Sequence, residues 1–125
     1  GFIYSLENYK MDLFEGPYKV FYPNGQLQLE CQYIHNEMSG TLKAYFPEGQ
    51  LKEIVQMSGS QENGPFEEYY QNGKIKANGF YKNGPYEEGL LNLFDSTGTL
   101  IKKMNCKEGI CTTTWTLEMD STKTK

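Results

Sequence analysis

The chain has 125 residues, of which 38% are apolar and 22% charged; that supplies one domain's core and is too little for two independently folding halves. All twelve basic residues are lysine, the net charge is −4, and there is no arginine, so the guanidinium fork that grips phosphates and base edges is missing and nucleic acid and anionic lipid are poor partners. No apolar run approaches the roughly eighteen residues of a spanning helix, and no charged-then-apolar leader opens the chain, so neither a bilayer-inserted segment nor a signal peptide is expected.

Ten tyrosines, seven phenylalanines and thirteen glycines, with turn residues at short intervals, favour strands and leave no window for a well-capped helix. The one stretch to consider for a helix, Leu6 to Leu13, lacks a cap. Ile3 to Tyr9 falls where the return strand of an incomplete leading copy would lie, within an N-terminal cap of residues 1–15. Three copies of one hexapeptide follow: Tyr22-Pro-Asn-Gly-Gln-Leu27, Phe46-Pro-Glu-Gly-Gln-Leu51 and Tyr70-Gln-Asn-Gly-Lys-Ile75. A weaker fourth copy is Asp95-Ser-Thr-Gly-Thr-Leu100. Gly25, Gly49 and Gly73 are 24 apart and Gly98 follows after 25, while Gly16, Gly40, Gly64 and Gly89 each lead them by nine. Two glycine registers held over four copies define tandem repeats, at residues 16–39, 40–63, 64–88 and 89–108, with the extra residue in the Lys82 to Pro85 connection.

Each copy reads as a β-hairpin. Pro23 and Pro47 suit a type I turn followed by a left-handed glycine bulge, whereas Glu48-Gly49 resists the two positive φ angles of a type I′ turn. That choice pairs Phe21 with Leu27, Tyr45 with Leu51, Tyr69 with Ile75 and Phe94 with Leu100, an aromatic facing an aliphatic in every copy. These pairs are expected to form the buried seam; should the turn be type I′, the two aromatic columns exchange roles. Since one hairpin is marginal alone, the copies must bury their seams together, giving an all-β, elongated, twisted antiparallel sheet. Alternation of Cys111, Thr113, Trp115 and Leu117 with polar neighbours predicts a capping strand within 109–119, and residues 120–125 are expected to fray.

At these hexapeptides, with Gly-Pro-Tyr18, Gly-Pro-Phe66 and Tyr81-Lys-Asn-Gly84, the chain resembles the bacterial variant of the MORN (membrane occupation and recognition nexus) repeat, and within it the YwqK-type antitoxin-like group. The resemblance covers roughly residues 16 to 105. It implies a single layer of antiparallel hairpins, no catalytic residues, no cofactor, and a role in binding another protein, in the antitoxin case by neutralising a toxin through contact. The fourth copy departs from the motif, with Asp95 for the second aromatic and Ser96-Thr97 for Pro-Asn, and is expected to keep its strands but not a contact surface.

Tyr22, Phe46 and Tyr70 point to the face opposite the expected seam, together with Tyr18, Leu42 and Phe66 four residues earlier. This aromatic stripe among polar neighbours is the candidate partner-binding surface, unless the rings pack into a second core layer. Neither Glu67-Glu68 nor Glu87-Glu88 can converge on one bond, because adjacent strand residues face apart, so no catalytic pair is assigned. His35 lies in a loop with no nucleophile or orienting acid. One histidine and cysteines without a CxxC spacing make no metal set, and Cys31 reads as a small core side chain. Cys106 and Cys111 flank a hairpin loop that places them at disulfide distance or leaves them as thiols; a bridge would indicate an oxidising, exported setting. The readings left open are a protein-binding module, a small carbohydrate-binding or glycan-hydrolysing protein, and a structural repeat that self-associates.

Overall fold

The computed structural model describes residues 5–6, 9–10 and 13–119. It is almost entirely antiparallel β: β1 (Ser5–Leu6), β2 (Tyr9–Lys10), β3 (Leu13–Phe14), β4 (Gly16–Phe21), β5 (Leu27–Ile34), β6 (Glu37–Tyr45), β7 (Leu51–Ser58), β8 (Gln61–Tyr69), β9 (Ile75–Tyr81), β10 (Gly89–Phe94), β11 (Leu100–Lys107) and β12 (Ile110–Thr116). β1 and β4 to β12 form one open sheet in chain order, and β2 pairs with β3 as a separate two-stranded sheet. The window considered for a helix thus contains a small hairpin instead. Ser5 and Leu6 pair with Val20 and Lys19, where a return strand was expected; the remainder of that segment and the tail from Asp120 lie outside the described residues.

The hexapeptides form the predicted turns. Gly25 N–H donates to Tyr22 O at 2.9 Å while Tyr22 N–H donates to Gln26 O at 2.8 Å, and the same two bonds recur at Phe46, Tyr70 and Asp95. The four turn glycines have φ between +88° and +105°, a left-handed geometry that costs a side-chain-bearing residue dearly. All four predicted aromatic–aliphatic pairs occur in register, Phe21 with Leu27, Tyr45 with Leu51, Tyr69 with Ile75 and Phe94 with Leu100. On the opposite edge the connections are two-residue turns at His35-Asn36, Gly59-Ser60 and Glu108-Gly109, with φ positive at both positions, as type I′ requires. The second glycine register also has a backbone cause: Gly16, Gly40, Gly64 and Gly89 all have φ between +83° and +116°.

The seam assignment is corrected by the burial. Cys31, Val55, Phe66, Ala77, Leu91 and Cys106 are the buried apolar residues among those described, and they lie on the face opposite Phe21, Tyr45, Tyr69 and Phe94. The reason is a bulge just past each turn: Phe21 pairs with Leu27 but Val20 pairs with Leu29, so Gln28 is an extra residue and the strand changes parity there. Leu29 and Cys31 are carried to the face of Tyr18 and Val20. The core is a repeated cross-strand pair, Tyr18 with Cys31, Leu42 with Val55, Phe66 with Gly79 and Leu91 with Met104. Sizes compensate within the pairs. A Cβ on Gly79 would come within 2.9 Å of the Phe66 ring, so the largest ring rests on bare backbone.

At the C-terminal end Cys111 lies opposite Cys106 and Trp115 opposite Lys103, but Thr114 is extra. Trp115 is thereby carried to the face opposite Cys111 and Thr113; Thr113 is exposed, and Leu117, expected to be a buried strand position, lies in a short helical turn with 40% of its surface exposed.

Candidate functional site

The buried face also holds an apolar depression. A hollow of about 340 Å³ is lined by Leu29, Met38, Leu42, Glu53, Val55, Met57, Glu62 and Tyr81. Leu29 is on β5 and Tyr81 on β9; in a flat sheet these strands would be about 19 Å apart, so sharing one hollow requires the sheet to curl toward this face. The result is an open trough whose floor is aliphatic and whose flanks carry carboxylates.

Those carboxylates are set by register. Glu53 pairs directly with Glu68 across β7 and β8, and Glu62 pairs with Met57 on the same face. Burial, then the charges of Glu68 and Glu62, push Glu53 up from the ordinary glutamate range, and Lys52 opposes them. Tyr81 stacks on Phe66 with ring centroids 4.5 Å apart. Its phenol is pushed up to about 12, first by burial and then by Glu87, Glu53, Glu68 and Glu62. Glu67, by contrast, is on the other face and accepts from Tyr69, and Glu88 accepts the Glu108 N–H. Glu67 and Glu68 therefore face apart as expected. The cross-strand pair Glu53 and Glu68 was not seen in the sequence, because plain reflection about Gly59-Ser60 sets Glu53 opposite Phe66. Two additional residues at the irregularity around Gly64 bring Glu68 there instead. The signal that would have revealed it is the second glycine register, read as a bulge.

The residues of the expected aromatic stripe are on this same face but differ in what they do. Phe66 is 3% exposed and belongs to the core, so it offers no surface. This corrects its place in the stripe; the cause is the neighbouring Gly79, which lets the ring sink. Tyr18 is half-buried, edge-on to Tyr33 at 5.3 Å. Tyr22 and Tyr70 are half-buried, and their hydroxyls link copies: Tyr22 Oη donates to Tyr45 O at 2.7 Å and Tyr70 Oη to Phe94 O at 2.8 Å. Phe46 lacks the hydroxyl and lies under the Lys52 ammonium, 5.9 Å from its centroid.

Cys106 and Cys111 are joined as a disulfide. Cys31 is free and buried, and burial raises its thiol pKa, which leaves it a poor nucleophile. His35 occupies a positive-φ turn position on the surface, its Nδ1 4.0 Å from Glu15. Among the described residues no group of three or more His, Cys, Asp or Glu side chains is placed to hold a metal ion, and no helix is long and apolar enough to cross a membrane.

Repeated hairpins, two glycine registers and one open sheet define a β-repeat protein. The chain matches the MORN repeat variant at residues 14–35, 38–58 and 62–83, just over half its length, and it belongs to that family. The fourth copy lies beyond the matched segments yet makes the same turn and the same core pair. No curated protein matches the chain.

Proposed function

We propose that this chain is a non-enzymatic β-hairpin repeat module that docks a partner protein on its curled face, with Tyr18, Tyr22, Phe46 and Tyr70 bordering the contact and the trough at its centre. The observation that carries the reading is the trough itself, open, largely aliphatic, and flanked by Glu53 and Glu62, neither of which has an ion-pair partner among the described residues. Apolar concavities with a few convergent polar groups are where partners gain most from desolvation. The concrete form, from the likeness to the YwqK-type group, is a bacterial antitoxin that neutralises a toxin by contact. The Cys106–Cys111 bridge supports an oxidising, exported setting. Placing a photocrosslinking side chain at Leu42 tests the docking face. Crosslinks to a host protein should form from Leu42 and not from Lys43, which faces the other way; equal yields from both, or none from Leu42, would remove the proposal.

A carbohydrate-acting reading is favoured by one observation: Glu53 and Glu68 are opposed beside Phe46 and Tyr69 in a second, smaller hollow of about 110 Å³. Acid–base glycoside hydrolysis needs two carboxyl groups roughly 5 to 10 Å apart with one held protonated. Release of reducing sugar from a glycan panel, abolished in Glu68→Gln, would establish it over partner docking.

A further inference from the structure

The trough combines features that a purely structural sheet face has no use for. Glu53 and Glu62 line the trough and no lysine does; Glu68 opposes Glu53 in the adjoining hollow, which Lys52 and Lys76 also line, and the one ion pair found among the described residues is His35 with Glu15, at the sheet's edge. Lys52 acts on Glu53, but less strongly than Glu68 does. The same field reaches Tyr81, whose proton is held by four glutamates in addition to burial. Between the carboxylates the floor is Leu42, Val55 and Met57. Like charges held together over apolar surface cost stability in the free protein, and an incoming cation with a methylene stem relieves that cost while burying its stem on the floor.

We infer that the trough takes a lysine or arginine side chain presented among apolar residues by a segment of a partner protein. This deepens the docking reading and rests on it. The charge is what selects the occupant: an acidic or neutral segment would gain the aliphatic floor but leave the carboxylates buried and unmatched, a loss felt as weaker binding.

The test pans a random peptide library, displayed without bias, against the whole chain. The expected result is enrichment of peptides with a lysine or arginine flanked by apolar residues. Their affinity should fall at least tenfold for Glu53→Gln and for Glu62→Gln, and equally when the peptide's lysine is replaced by norleucine or its arginine by citrulline. Glu67→Gln on the opposite face should leave binding unchanged, and thermal melts of all three variants show that the fold is kept. Enriched peptides that lack a basic residue, or whose affinity ignores Glu53 and Glu62, overturn the inference and leave docking standing. No enrichment at all overturns both. Concentration-dependent self-association in sedimentation, lost in Glu53→Gln, would identify the occupant as a second copy of the chain and would also overturn it.

Discussion

Phe66 and Gly79 show how closely the core is fitted side chain to side chain. With the ring lying on the Gly79 backbone, a methyl group there has nowhere to go. Gly79→Ala should cost about 1 to 3 kcal/mol by overpacking, and Phe66→Ala about 3 to 5 kcal/mol by leaving a hole; urea unfolding measures both. Glu53 makes the opposite prediction. Its pKa is raised in the fold, so folding is favoured by the proton and opposed by the charge, and the stability it forfeits is lost as pH rises through its folded pKa. Glu53→Gln should therefore raise the melting temperature at pH 7, and the gain should vanish below about pH 4, where the ordinary glutamate pKa of about 4.3 leaves the side chain protonated in both states. A gain that persists unchanged in acid would mean that repulsion is not its cause. The sequence made the turn pairs legible at this scale, because Pro23, Gly25 and their equivalents dictate one turn geometry. It did not make the buried face legible. One aromatic–aliphatic pair per copy pointed to one face, but Gln28 and its equivalents switch the parity of each long strand, and the column of Leu29, Cys31 and Tyr33 goes with Tyr18 instead.

Among the hairpins, the motif residues act as ties between copies. The Tyr22 hydroxyl reaches the Tyr45 carbonyl and the Asn24 amide reaches the Pro47 carbonyl; Tyr70 and Asn72 repeat both bonds to Phe94 and Ser96. The second copy has Phe46 and Glu48 at these places, and its tie is different in kind, with Gln71 Nε2 donating to Glu48 Oε1 at 2.9 Å. Tyr22→Phe and Tyr70→Phe should each cost about 0.5 to 1.5 kcal/mol. Phe46→Tyr should do the reverse, restoring the missing hydroxyl opposite the Tyr69 carbonyl and raising the denaturant midpoint. A lowered midpoint would show that the Lys52 contact over the Phe46 ring outweighs the bond. That these residues recur was visible in the sequence; that their recurrence serves the neighbouring hairpin was not, since the donors and acceptors are 23 or 24 residues apart and meet only once the strands lie side by side.

Over the whole molecule, the principal contacts among the described residues join neighbouring strands, and the described sheet ends in the Cys106–Cys111 hairpin. This bridge closes a separation of five residues, short enough that its effect on the unfolded chain is about 2 kcal/mol. Intact mass should rise by two hydrogens on reduction, with increased amide exchange confined to β11 and β12 and no change in β5 to β8. Exchange that spreads through every copy would mean that the sheet unfolds as one unit. The tandem hairpin arrangement was legible at this scale, from the hexapeptides and the glycine spacing. The trough was not, because it depends on curling and on bulges that no periodicity encodes.

The ties along the hexapeptide edge carry an evolutionary consequence. The first and third copies hand the next the same pair of bonds at nearly the same offset, so an in-frame duplication of such a 24-residue unit brings its own donors and acceptors and leaves its neighbours' geometry untouched. Copy number then becomes a dial for how long a ligand the curled surface can accommodate, adjustable by recombination without redesigning a single contact.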